Sequence, residues 1–175
     1  MPNLTSRNTT FARYWYVTID NDVGGIDVGQ VSLFINSVLN DPRGVTKFGY
    51  HFEALPPMLG ETLRKNKRNW KDVFHIRIAS DKSVTNECKF GFLSCAQLYL
   101  NVILLNEDRW KYGSEFCRLP LYEYRIYCVN HEVMHLLSRE HATFPKDSNK
   151  TCPVMIQQTV AKGRCVECPW PQDDE

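Results

Sequence analysis

Three histidines and two glutamates fall within the stretch His131-Glu132-Val133-Met134-His135-Leu136-Leu137-Ser138-Arg139-Glu140-His141. A helix over 121–137 stacks His131 and His135 one turn apart on one face, with Glu132 beside them, because positions i and i+4 align along a helix. Two imidazoles and a carboxylate so placed can share one metal ion. Zinc is the first candidate. It takes neutral nitrogen ligands at about 2.0 Å in tetrahedral geometry, and a catalytic site uses three protein ligands and leaves the fourth position to water. His141 supplies the third nitrogen if the chain turns back at the helix end; if the helix runs on, Glu140 or water takes that place. The chemistry expected of such a site is hydrolysis, with Glu132 as a general base outside the ligand set. His-Glu-x-x-His alone also arises by chance on amphipathic helices, and the third histidine tips the reading from a solvated helix end to a metal centre.

The helix that must carry these residues is legible over Leu121–Leu137, where Ile126, Val129, Val133 and Leu136 recur at helical spacing and face a core while the histidines face a cleft. Ahead of it, Phe11–Ile19 is dense in aromatic and β-branched residues and reads as a strand, closed by Asp20-Asn21-Asp22 and Gly24-Gly25. Asp27 is placed to cap a helix with apolar residues at Val28, Val31, Phe34, Ile35, Val38 and Leu39, which Asp41-Pro42-Arg43-Gly44 ends. A second strand is expected over Lys47–Leu55, a loop from Pro56-Pro57, and a third strand over Asp72–Ala79. Strand, helix, strand in that order predicts a parallel crossover and an α/β sheet. Residues 80–97 read as an excursion, Gln97–Leu105 as further strand and Asn106–Tyr112 as a short helix. From His141 to Ala161, Pro145, Pro153 and weak periodicity predict irregular chain. His51 and His75 have no partner at a ligand spacing and are expected to be ordinary sheet residues.

The length of 175 residues suits one domain with a real core. Hydrophobic and charged fractions of 43% and 23% are those of a globular protein, and a formal net charge of +1 gives no electrostatic argument for nucleic acid or an anionic membrane. The basic run Arg64-Lys65-Asn66-Lys67-Arg68 is therefore expected to be a solvated loop. No apolar run reaches the roughly 20 residues that span a bilayer, and Met1–Asn8 lacks the apolar centre of a signal peptide. Seven cysteines point to disulfides and an oxidising setting, secreted or virion-associated, with the odd count leaving at least one thiol over. Cys88 and Cys95 are near enough to close a short loop, and Cys152 and Cys165 bracket the segment around Met155. Of Cys117, Cys128 and Cys168, Cys128 reads as a small buried hydrophobe. Cys165-Val166-Glu167-Cys168 lacks the second Cys-x-x-Cys that a zinc ribbon needs.

His131 to His141 resembles the metzincin zinc-peptidase motif, and Pro153-Val154-Met155 resembles the Met-turn that runs beneath the metal in that superfamily. Within it, residues Phe11 to Pro171 are similar to a family of secreted actinobacterial metzincin-like domains of unassigned function. The stretches that carry this are Asp41-Pro42-Arg43-Gly44, Asn106-Glu107-Asp108-Arg109-Trp110, Tyr124-Arg125 through Val129-Asn130-His131-Glu132, Cys152 through Thr159 and Pro169-Trp170-Pro171. Cys88, Cys95, Cys152 and Cys165 match cysteines of that family. The resemblance implies an α/β (α+β) zincin-like fold: a mixed, mostly parallel twisted sheet, a backing helix, an active-site helix and an irregular C-terminal portion. It also implies an antiparallel edge strand beside the cleft, placed between Phe90 and Leu100.

Two departures stand out. Ser138 occupies the position of the usual glycine, where a left-handed bend strains Ser by roughly 1 kcal/mol. Gln157 stands where some metzincins have a tyrosine that stabilises the oxyanion, so that its amide becomes the donor. The expected organisation is a flexible terminus over 1–10, one catalytic domain over 11–171 and a frayed acidic tail over 172–175. The expected function is a monomeric zinc (Zn2+) metallopeptidase acting on a peptide or protein substrate. The alternative is a zinc-binding but non-catalytic domain used for recognition or as a structural component.

Overall fold

The structure, a computed structural model, describes residues 11–66, 72–158 and 164–175, with side chains from Arg13 onward. The expected loose terminus, Lys67, Arg68 and Thr159–Ala161 lie outside the described residues. Five strands form one sheet: β1 (Phe11–Ile19), β2 (Tyr50–Ala54), β3 (Val73–Ala79), β4 (Cys95–Gln97) and β5 (Val102–Asn106), in the spatial order β2-β1-β3-β5-β4. All neighbours pair in parallel except β4, which runs antiparallel to β5 at the sheet edge. The order of elements predicts the parallel α/β pairing, and the family resemblance implies the mixed sheet with its antiparallel edge, which falls inside the expected interval.

Alternation along the strands sorts the side chains onto two faces. Trp15, Val17, Phe74, Ile76, Ile78, Ile103 and Leu105 form the main core with Val31, Ile35, Val38 and Leu39 of helix α1 (Val28–Leu39) and Ile126, Val129 and Val133 of helix α5 (Leu121–Leu136). Asp27 caps α1 as expected, its carboxylate accepting from the Gln30 amide at 2.8 Å. Helix α2 (Pro57–Lys65) lies against β1 and β3, and on the same opposite face Val84 of helix α3 (Asp81–Glu87) packs with Ala79, Val102 and Leu104. There His75 is an ordinary sheet residue, stacked on Tyr16 at 4.3 Å and bonded through Nε2 to Thr18 Oγ1 at 2.8 Å.

The strand expected over Gln97–Leu105 is broken by a turn at 98–101 between β4 and β5, and Arg64 and Lys65 of the basic run lie in a helix rather than a loop. Four further expectations need correcting. The second strand is shorter than predicted, because a 3-10 turn over Val45–Phe48 and a left-handed Gly49 precede Tyr50. The segment from Pro56-Pro57 is helix α2 rather than a loop: proline is pre-shaped for a first turn, where its missing N–H costs nothing. Gly60, which weakens the helical pattern, is required by contact, since a Cβ there would lie 2.3 Å from the Tyr16 ring. The excursion over 80–97 contains α3, capped by Ser80 Oγ accepting from the Ser83 amide. Asn106 caps the expected short helix α4 (Glu107–Tyr112). Lastly, the acidic end is not frayed, because the Glu175 carboxylate accepts from the amides of Val154, Met155 and Gln172. No helix among the described residues is long and apolar enough to cross a membrane.

Candidate metal centre

Helix α5 carries the first two histidines one turn apart, and its end delivers the third. The helix stops at Leu136; Ser138 then takes a left-handed conformation, φ 65°. The Arg139 amide donates to Met134 O and the Ser138 amide to His135 O. These are the paired closing bonds of a Schellman end, with Ser at the position glycine usually fills. The expected bend is thus made with the glycine-type backbone and without the glycine. It turns Arg139 O back onto His135 Nδ1, 2.8 Å away, and sends the chain to His141. Glu140 is not part of the cluster.

The three Nε2 atoms form a triangle with edges of 3.2 Å (His131–His135), 3.1 Å (His135–His141) and 3.3 Å (His131–His141). His131 Nδ1 faces Val154 O at 2.7 Å, and His135 Nδ1 faces Arg139 O. A carbonyl only accepts, so both Nδ1 atoms carry protons and both Nε2 atoms present bare lone pairs. Lone pairs meeting at this distance repel unless a cation lies between them. Nitrogens about 2.0–2.1 Å from a shared tetrahedral ion stand about 3.3–3.4 Å apart, so the donor set fits a metal ion. Burial lowers the pKa of all three rings and holds His131 at about 3, keeping them neutral, as ligands must be.

Glu132 sits next to the triangle but outside it. Its side chain is buried, and burial pushes its carboxyl up to about 8. It opens onto a cleft of about 210 Å³ between α5 and the β4 edge, whose walls include Leu93, Ala96, Tyr124, Cys128 and the three histidines. Gln157 lines the same cleft, as a candidate donor must. Met155 is buried in the main core, and its carbonyl accepts from the Ala142 amide, one residue past His141.

Both expected disulfides are present, Cys88–Cys95 and Cys152–Cys165, leaving Cys117, Cys128 and Cys168 free. The first ties the loop ahead of β4 at the cleft; the second closes the segment that contains Met155. Cys128 is buried, as expected.

Sequence reasoning missed Tyr127, Gln158 and Glu175. The Tyr127 hydroxyl donates to Ile156 O at 2.8 Å and accepts from the Gln158 amide at 3.0 Å, joining α5 to the turn whose Val154 carbonyl faces His131. Its position four residues before His131 was the available signal. Gln158 is buried and bonds to Pro153 O and to both backbone groups of Cys168. No local pattern marks it or Glu175.

Fold and site together define a mixed α/β domain in which three imidazoles that could hold one metal ion line a cleft beside a sheet edge. The chain belongs to the family described as "Protein of unknown function (DUF3152)", whose model matches residues 5–165. No curated protein and no solved structure matches it.

Proposed function

We propose that this protein is a zinc-dependent endopeptidase of metzincin type. The observation that carries the reading is the pairing of a three-nitrogen triangle with a buried carboxylate that is not part of it. A purely structural zinc site closes its fourth position with Cys or His and has no use for such a carboxylate. His131, His135 and His141 would hold the ion. When bound, it supplies Lewis acidity, acidifying water towards pKa 7 and polarising a carbonyl. Glu132 takes the proton from the attacking water and passes it to the leaving amine. Its burial favours proton uptake, and a nearby divalent charge would act in the opposite direction.

The substrate is extended polypeptide. Strand β4 is the outer strand, and among the described residues no further strand pairs with its free edge, which leaves backbone groups for a peptide to bond. The Gln157 amide donates to the oxygen that gains charge in the transition state. Two disulfides favour an oxidising setting, secreted or virion-associated.

Elemental analysis followed by a mixed peptide library, with and without a chelator, tests the reading. Chelator-sensitive cleavage is expected. Glu132→Gln should keep one zinc per chain and lose activity by about 10³-fold, within the range general bases contribute. Full activity in that variant rejects the assignment, and tight zinc without turnover in the native chain favours a non-catalytic zinc domain.

A further inference from the structure

Glu175 lies outside the residues the family model matches, yet only one peptide group separates its carboxylate from a metal-site histidine. His131 Nδ1 donates to Val154 O at 2.7 Å. That carbonyl shares its peptide unit with the amide of Met155, which donates to Glu175 Oε1 at 2.9 Å. The preceding amide, Val154 N–H, donates to Glu175 Oε2 at 3.0 Å, and Gln172 N–H donates to the same oxygen at 2.6 Å. We infer that Glu175 is a positioning residue for the metal centre, acting on His131 through the Val154–Met155 peptide.

The physical basis is the resonance of that peptide. An anion bound at the N–H draws the group towards its charge-separated form and places more negative charge on the carbonyl oxygen. A stronger acceptor at Val154 O fixes the proton on His131 Nδ1, holds the ring in plane with its partner and makes Nε2 a better donor. A carboxylate bonded directly to a metal-site histidine does the same; here the peptide stands between them. The same turn also presents Met155 O to the amide beyond His141, so fixing it steadies two of the three rings.

A plain anchor for the chain end would not require this arrangement. The end is already held by Lys47, which donates to Pro171 O and Asp173, by Arg43 lying 4.4 Å over the Trp170 ring, and by Asn130 donating to Pro169 O. None of these addresses the peptide that faces His131. Three N–H donors converge on the two oxygens of Glu175, which a carboxylate can accept and a glutamine, with one acceptor oxygen, cannot.

The inference rests on the metal-site reading above, and its test separates the two. Glu175→Gln and Glu175→Asp in the full chain are compared with Asp173→Asn, which removes an exposed ion pair of the same tail. Zinc affinity is measured by chelator competition, ligand geometry by the visible spectrum of the cobalt-loaded protein, and the His131 Nδ1–H by nitrogen–proton NMR after metal stripping. Glu175→Gln should bind zinc about tenfold more weakly, the low end for groups behind a ligand. Its cobalt spectrum and Nδ1–H signal should shift, Glu175→Asp should fall between, and Asp173→Asn should match the native chain. Unchanged affinity and ring signal in Glu175→Gln overturn the inference. So does a loss of affinity that only follows a loss of global stability, with spectrum and ring signal intact. If the native chain binds no zinc, the metal reading falls, and the ring signal of the stripped protein still decides whether Glu175 acts on His131.

Discussion

Helix α5 and the described residues of 151–175 both bear on the three-imidazole group, α5 by carrying His131 and His135 and the C-terminal residues through Val154 O on His131 and Met155 O on the amide after His141, and they do so by different means. In α5, Tyr124 and every residue from Ile126 to Met134 are buried, so the positions of His131 and His135 follow from a repeating backbone and a continuous core. The C-terminal segment has one isolated bridge, Thr151 to Val166, as its regular pairing among the described residues. Its shape comes from single contacts: the Cys152–Cys165 disulfide, the bonds of Gln158, the Tyr127 hydroxyl and the Glu175 carboxylate. A periodic element spreads its stability over many residues, whereas a strap built from individual bonds concentrates it in a few. The helix should therefore tolerate conservative changes that the strap does not.

The largest effect expected of this difference lies in the Cys152–Cys165 bridge, whose cysteines are 13 residues apart. Closing a loop of about that size is worth about 3 kcal/mol. Cys152→Ser with Cys165→Ser should lower stability by that amount in chemical denaturation. Amide exchange over 152–158 should accelerate more than exchange in α5. Equal acceleration in both segments would show that helix and strap open as one unit, and the contrast would be lost.

Tyr127→Phe comes next, because it cuts the link between the two regions while changing neither backbone. Removing the hydroxyl leaves Ile156 O and the Gln158 amide without that partner in a buried setting, a loss of about 2 kcal/mol. Metal release under chelator should quicken with it, since Ile156 belongs to the turn that supports His131. A neutral effect in urea unfolding would mean that the strap is held independently of the helix.

The same contrast explains what could be read from the sequence. Val28–Leu39 and Leu121–Leu136 announce themselves because their apolar residues repeat at helical spacing, and Phe11–Ile19 because it is dense in aromatic and β-branched residues. The three histidines are legible for a related reason, being local in sequence. Helix α2 was hidden by its own start and middle: Pro56-Pro57 looks like a loop, and Gly60 is placed for the Tyr16 ring. Tyr127, Gln158 and Glu175 act through partners 29, 10 and 20 residues away. Contacts of that kind leave no periodic trace, so from sequence a segment without periodicity looks merely irregular, and its last residues loose.

The smallest expected effect sits at the joint between the two regions. Ser138 and Asn101 are the two non-glycine residues with positive φ among those described, at 65° and 55°. Asn101 is suited to that backbone and uses its side chain there, donating to Val73 O at 2.7 Å. Ser138 is placed only by the helix end, whose closing bonds run through backbone groups and would survive the loss of its side chain. Ser138→Gly should therefore stabilise the fold by about 1 kcal/mol, relieving the left-handed strain and keeping the Schellman bonds. Asn101→Gly should destabilise it, because the bond to Val73 O is lost. Thermal unfolding of the two variants side by side checks the pair. If Ser138→Gly is neutral or harmful, the bend towards His141 is not strained in the native protein, and the serine hydroxyl has a role at the metal centre that its backbone position does not explain.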